Sequence, residues 1–175
     1  VEPEGVALHR RIFAYRSGDR PLDVAGKQHH PEAHHLDRVF EVFDRFGGPE
    51  VLHIADVSDP LPTAGQALVR TRAIGLNFAD CYRRQGRYHL VGNPPWIAGY
   101  EAAGEVVSAP DSSGFAPGDR VAFADAPFAN AELVAVDIER LIPLPADIGF
   151  DTAAALVLQG LTAQYLIRDS QRVRS

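Results

Sequence analysis

Sulfur is scarce in this 175-residue sequence, which holds one cysteine, Cys81, and no methionine. A lone cysteine excludes an intrachain disulfide and fits a reducing compartment. The missing methionine, even at position 1, fits a fragment, a processed product or a non-ATG start alike. Long apolar runs are missing too. The longest aliphatic stretch, Ala153 to Leu158, falls far short of the ~18–20 residues a membrane span needs. No charged-then-apolar leader with a small-residue cleavage site opens the chain, so the expectation is a cytoplasmic protein with no membrane partner. Positive charge is not in excess either: 17 Lys and Arg stand against 23 Asp and Glu, a net charge of −6. That removes the electrostatic case for a nucleic-acid partner. What the sequence does have is apolar substance, 46% of its residues, enough for a packed core.

Residues 1–37 read as an extension with little fixed structure. Their charges and prolines are scattered, and few apolar groups offset the entropy of ordering. A short helix around Glu32–Val42 is one expectation at its edge. The pairs His29-His30 and His34-His35 bring imidazoles close in sequence. Pro31 breaks a regular helix between them and no Cys or carboxylate completes a ligand set, so no metal site is expected there.

From Arg38 short apolar stretches alternate with turn signals, the pattern of an antiparallel β domain running to about residue 148. Phe40 to Phe43 reads as a strand, Gly47-Gly48-Pro49 as a break, and Val51 to Val57 as the return. In Ala67 to Ile74 the alternation puts Ala67, Val69, Thr71 and Ala73 inward, with Arg70 and Arg72 outward. Ala102 to Val107 is a strand of small residues that lets other backbone pack closely. Pro117-Gly118-Asp119 turns into Arg120–Ala124, and Ala131–Val136 and Leu141-Ile142 follow. Strands of this length and spacing suggest a closed or partly closed barrel. After Pro145 the period becomes helical. Asp151–Leu158 and Leu161–Arg168 are read as two helices interrupted by Gly160, within a C-terminal segment 149–175.

Tyr82 and Tyr88 are hydrogen-bond donors with flat faces. Read from residues alone, they serve as amphipathic boundary residues. Arg83, Arg84 and Arg87 read as a solvated loop surface, the alternative being a place near cofactor phosphates.

Several stretches together carry a resemblance. They are Phe46-Gly47-Gly48-Pro49-Glu50-Val51-Leu52, Ala73-Ile74-Gly75-Leu76-Asn77-Phe78-Ala79-Asp80 with Tyr82 following, Gly99-Tyr100-Glu101-Ala102-Ala103-Gly104-Glu105-Val106, Gly118-Asp119-Arg120-Val121 and Leu158-Gln159-Gly160-Leu161-Thr162-Ala163-Gln164-Tyr165. In order and spacing, over roughly residues 38–170, the chain resembles the zeta-crystallin-like, zinc-independent quinone oxidoreductases of the medium-chain dehydrogenase/reductase superfamily. The resemblance implies a mainly β fold with C-terminal helices: a GroES-like, partly open β-barrel, ending before the Rossmann domain that follows in that family. It implies NADPH as cofactor, a quinone or other α,β-unsaturated carbonyl as acceptor, and a homo-oligomer at full length. It places Asn77, Phe78 and Thr162 at the cofactor and gives Tyr82 and Tyr88 catalytic roles as donors to the acceptor.

The resemblance also implies that there is no zinc. Zinc-dependent relatives carry Cys where this chain has Asn77 and His where it has Tyr100, and neither replacement is a usual zinc ligand. The four cysteines of their structural zinc lobe are missing. Tyr100 departs from the small or flexible residue usual in this branch, and Glu101 reads as a structural anchor for its loop through backbone amides. A Rossmann domain needs a strand, a glycine turn and a helix N-terminus facing the pyrophosphate. Residues 160–175 hold no such glycine cluster. The isolated chain is therefore expected to be inactive. The rival reading is a non-catalytic GroES-like module acting through protein contacts.

Overall fold

In the computed structural model residues 39–170 are described. The extension expected over residues 1–37, with both histidine pairs, lies outside the described residues. So does most of the helix expected around Glu32–Val42. Its last residues form strand β1 (Val39–Phe43) instead, where Phe40 and Val42 reach a core shared with the larger sheet.

Two antiparallel sheets carry the domain. The smaller has the order β2-β1-β4, with β2 spanning His53–Asp56 and β4 Trp96–Ile97. The larger runs β7-β3-β5-β6-β8. Its strands are β3 (Gln66–Ile74), β5 (Glu101–Ser108), β6 (Arg120–Ala124), β7 (Leu133–Asp137) and β8 (Ile142–Pro143). The expected mainly β architecture is present as two open sheets, and among the described residues they do not close into one barrel. The core gathers Phe40 and Val42 of β1 with Ala67, Val69, Val106, Val121, Phe123, Val134 and Val136 of the larger sheet. Glu41 breaks the alternation by being buried, and the Asn130 amide donates to its Oε2 at 2.6 Å.

Strand β3 follows the expected alternation at its start. Ala67 and Val69 are fully buried and Arg70 is exposed. A register shift between Thr71 and Ala73 then turns the strand. Arg72 becomes half-buried and pairs with Glu105 at 2.6 Å. Gly104 permits this close pairing, since a Cβ there would lie 2.0 Å from the Arg70 carbonyl oxygen.

The C-terminal segment forms one α-helix, not two. Among the described residues there are two α-helices: α1 is Phe78–Arg84 and α2 is Phe150–Gln164, which passes through Gly160 into a π-helical turn, Tyr165–Ser170. A helical glycine costs about 1 kcal/mol against alanine. Packing of Ala153 and Ala154 on Ala103 and Ala122 anchors the helix N-terminal to it. Small residues on both sides bring the helix backbone close to the sheet, as the small-residue strand led us to expect.

Candidate functional site

The site begins where β3 ends. Gly75 lies where any side chain would collide: a Cβ would sit 2.2 Å from the Ala154 carbonyl oxygen and 2.4 Å from the Glu101 carboxylate. The chain therefore passes between helix α2 and strand β5 and delivers Asn77 to the start of α1. There the Asn77 backbone N–H donates to Asp80 Oδ2 at 2.9 Å, and the Asp80 N–H donates back to the Asn77 carbonyl at 3.0 Å. This reciprocal capping starts a helix of only seven residues.

The Asn77 side chain is held from two directions. Its Nδ2 donates to Glu101 Oε2 at 2.8 Å. Its Oδ1 accepts from Gln159 Nε2 on helix α2, also at 2.8 Å. Glu101 is wholly buried, and its other oxygen accepts the Leu158 backbone N–H of α2 at 2.6 Å. The expectation that Glu101 anchors through a backbone amide agrees with that bond. Its grip on Asn77 was not foreseen.

Helix α1 is inside out by ordinary standards. Phe78 is 84% exposed and Tyr82, one turn on, 48%. Arg83 and Arg84 are the buried members. The solvated reading of these two arginines is thereby overturned. Arg84 donates to the Gly47 carbonyl at 2.7 Å, tying α1 to the Gly47-Gly48-Pro49 loop. Arg83 pairs with Asp80 at 3.0 Å. Its guanidinium lies 3.4 Å from the centroid of the Tyr100 ring and 5.0 Å from that of Tyr88. His89 packs on Tyr88 and meets Tyr100 edge-on.

Burial shifts two of these groups. It raises the Asp80 carboxyl above the ordinary aspartate value, against the Asn77 N–H and Arg83, which pull it down. It raises the Tyr100 hydroxyl as well, with Arg83 opposing, so Tyr100 stays protonated at neutral pH.

The residues singled out from sequence therefore fall on connected elements. Asn77, Phe78 and Tyr82 share one turn and helix. Tyr88 follows, half-exposed, joined to Tyr100 through Arg83. Thr162 is exposed on α2, three residues beyond the Gln159 that holds Asn77. Sequence reasoning missed the Asp80–Arg83–Tyr100 stack and the Glu101–Asn77–Gln159 chain. A signal for the second lay in Gly75, a glycine between a strand and a polar residue. Among the described residues, no three His, Cys, Asp or Glu side chains gather as a metal set, and no helix is long and apolar enough to cross a membrane.

Comparison with known proteins agrees with this architecture. The family model described as the alcohol dehydrogenase GroES-like domain matches residues 63–174. The chain belongs to that family. Several of the proteins it is similar to are quinone oxidoreductases, the class that the motifs resemble. The chain is 45% identical to a quinone oxidoreductase of Pseudomonas aeruginosa, over 75% of this chain and 41% of the relative. A Pseudomonas syringae pv. tomato quinone oxidoreductase structure superposes with a TM-score of 0.75 at 38% identity, covering 78% of this chain and 42% of that one. The Escherichia coli quinone oxidoreductase solved with NADPH gives 0.74 at 35% identity, with the same coverage of 78% and 42%. The chain thus spans about two fifths of the length of these relatives.

Proposed function

We propose that this chain is the acceptor-side part of an NADPH-dependent oxidoreductase of quinones or activated enones, completed by a nucleotide-binding domain. In this reading residues 38–148 form the GroES-like domain, residues 149–175 lead toward its partner, and residues 1–37 are an appendage. The observation that carries the reading is the inverted polarity of α1, with Phe78 and Tyr82 turned outward over buried Arg83 and Arg84. Burying arginines to expose a phenylalanine costs stability, and it is reasonable where the aromatic face meets a ligand or a second domain. Helix α2 and the π-helical turn after it continue the pattern with exposed Leu156, Leu161, Tyr165, Leu166 and Ile167.

Bound NADPH supplies a hydride. The protein's part is to hold the acceptor and place donors at its carbonyl. Tyr82 and Tyr88 are those donors, each half-exposed with hydroxyl and ring face available. Asn77 and Thr162 would meet the nicotinamide end, and Phe78 would offer it an apolar wall. The residues do not fit a catalytic zinc. Both polar ends of the Asn77 amide are engaged by neighbours, and the Tyr100 ring is covered by a guanidinium, which would repel a second cation. The test is NADPH consumption by the full-length protein with a quinone and with an unsaturated carbonyl. Absence of turnover with either class would refute the reading. The 175-residue chain alone should turn over neither, because a half-cleft does not hold donor and acceptor within the ~3–3.5 Å near-attack distance.

A further inference from the structure

We infer that Glu101 and Gln159 are positioning residues that lock the Asn77 carboxamide in one orientation, leaving a single Nδ2 hydrogen to receive a carbonyl-type oxygen of a ligand. The inference rests on the oxidoreductase reading only for the identity of that ligand. A carboxylate accepts hydrogen bonds and does not donate them. Glu101 is wholly buried, with Oε1 taken by the Leu158 N–H and Oε2 facing Asn77 at 2.8 Å. Only the NH2 end of Asn77 can face that oxygen. Flipping the amide would oppose two acceptors inside the fold, where an unsatisfied contact is most costly. With the orientation set by Glu101, Oδ1 points to Gln159, which must present its own NH2 and does so at 2.8 Å. The order of command runs from the buried acid to the asparagine to the glutamine on the helix surface.

This accounting leaves one hydrogen on Asn77 Nδ2. Asn77 is partly exposed, and that hydrogen is assigned to a ligand. That hydrogen takes an acceptor atom. Two sources supply such an oxygen: the carboxamide of a nicotinamide, or the carbonyl of the molecule being reduced. Leu158 and Gln159 both belong to α2, so the helix grips the site through the Glu101 carboxylate and through the Asn77 amide itself.

The test is a double-mutant cycle in the full-length protein, using Asn77→Ala, Glu101→Gln and the pair. Glu101→Gln keeps the size of the side chain but allows either amide orientation. Each single variant is expected to lower kcat/KM by ~10–100-fold, the scale of a misplaced contact, and the pair to fall no further than Asn77→Ala. A Glu101→Gln loss that persists undiminished beside Asn77→Ala would overturn the inference, because Glu101 would then act through the fold. Should Glu101→Gln not fold, Gln159→Glu on the exposed helix surface takes its place, setting a carboxylate against Oδ1. Its loss should likewise vanish beside Asn77→Ala. A higher Kd for NADPH in Asn77→Ala assigns the oxygen to the nicotinamide, and a higher acceptor KM alone assigns it to the acceptor. Both support the lock.

Side-chain amide NMR of the 175-residue chain decides the point without turnover. The Asn77 Nδ2 hydrogen facing Glu101 should be protected from exchange relative to the other, and that protection should fall in Gln159→Glu. Equal, unprotected exchange of both hydrogens in the parent chain would overturn the lock even if the protein is active. A locked amide in a protein without quinone or enone turnover would support the lock and count against the oxidoreductase reading alone.

Discussion

The guanidinium carbon of Arg83 sits over the Tyr100 ring, 3.4 Å from its centroid, while its Nη1 holds Asp80 at 3.0 Å. One buried cation thus joins helix α1 to the residue preceding β5. Among the described residues its Nε finds no hydrogen-bond partner, so the ring contact and the ion pair with Asp80 together offset the cost of burying the charge.

Arg83→Met should therefore destabilise the chain by roughly 3 kcal/mol, because it leaves the Asp80 carboxylate buried without its cation. Arg83→Lys should recover part of this loss, keeping the charge but not the planar stack. Urea unfolding checks both. A change within about 0.5 kcal/mol in Arg83→Met, the range of an ordinary surface substitution, would show the pair to be energetically idle.

Asp80 gives the pH dependence. Burial holds its folded-state carboxyl above the ordinary aspartate value. The folded state therefore binds the proton more tightly than the unfolded chain does. Asp80's contribution is full below the ordinary aspartate value and declines as pH rises from there through the raised folded value. The stability of the parent relative to Asp80→Asn should fall over that window and then level off. Melting both proteins across the acid range tests the sign. A relative stability that climbs with pH would mean that Arg83 outweighs burial.

Two glycines make opposite predictions. Gly75→Ala forces a Cβ to within 2.2 Å of the Ala154 carbonyl, a backbone atom that moves only with helix α2. It should cost about 2 kcal/mol or more. Gly160→Ala meets nothing within 4 Å on an exposed helical turn and should stabilise by about 0.5–1 kcal/mol. Thermal melts of the two variants are sufficient. Equal effects would mean that close approach at Gly75 is not what its neighbours require.

Tyr88→Phe addresses the proposed chemistry. In the full-length protein it should lower turnover ~10–1000-fold if the hydroxyl donates to the acceptor in the transition state. Phenylalanine retains a ring over Arg83, so Tm should stay near the parent value. Unchanged steady-state rates would return Tyr88 to a packing role.

Much of this was readable before any coordinates. The inward pair Ala67 and Val69, the pairing of the strand at Phe40 with its return, and the small-residue strand at Ala102 follow from period and side-chain size. So does the helical turn of the chain after Pro145. The clustering of Asn77, Phe78 and Tyr82 came from the motif. Other features depend on partners distant in sequence. Helix α1 escaped periodicity because its buried members are arginines, and a hydrophobic pattern looks for the reverse. Strand β4 is two residues after Pro94-Pro95 and exists only because β1 offers it an edge. Gly160 was read as a break because local propensity argues for one, whereas packing of Ala153 and Ala154 holds the helix together.

The bond from Leu158 N–H to Glu101 reaches beyond the site. It inserts a strand side chain among the backbone bonds of a helix, so α2 cannot peel away without stranding a buried acid. Strand and helix are therefore bound to open together, as one cooperative block. The helix should not fray gradually back past Leu158 from its C-terminal end. Amide exchange along α2 should show a step at that residue: fast beyond it, and before it as slow as the centre of the larger sheet.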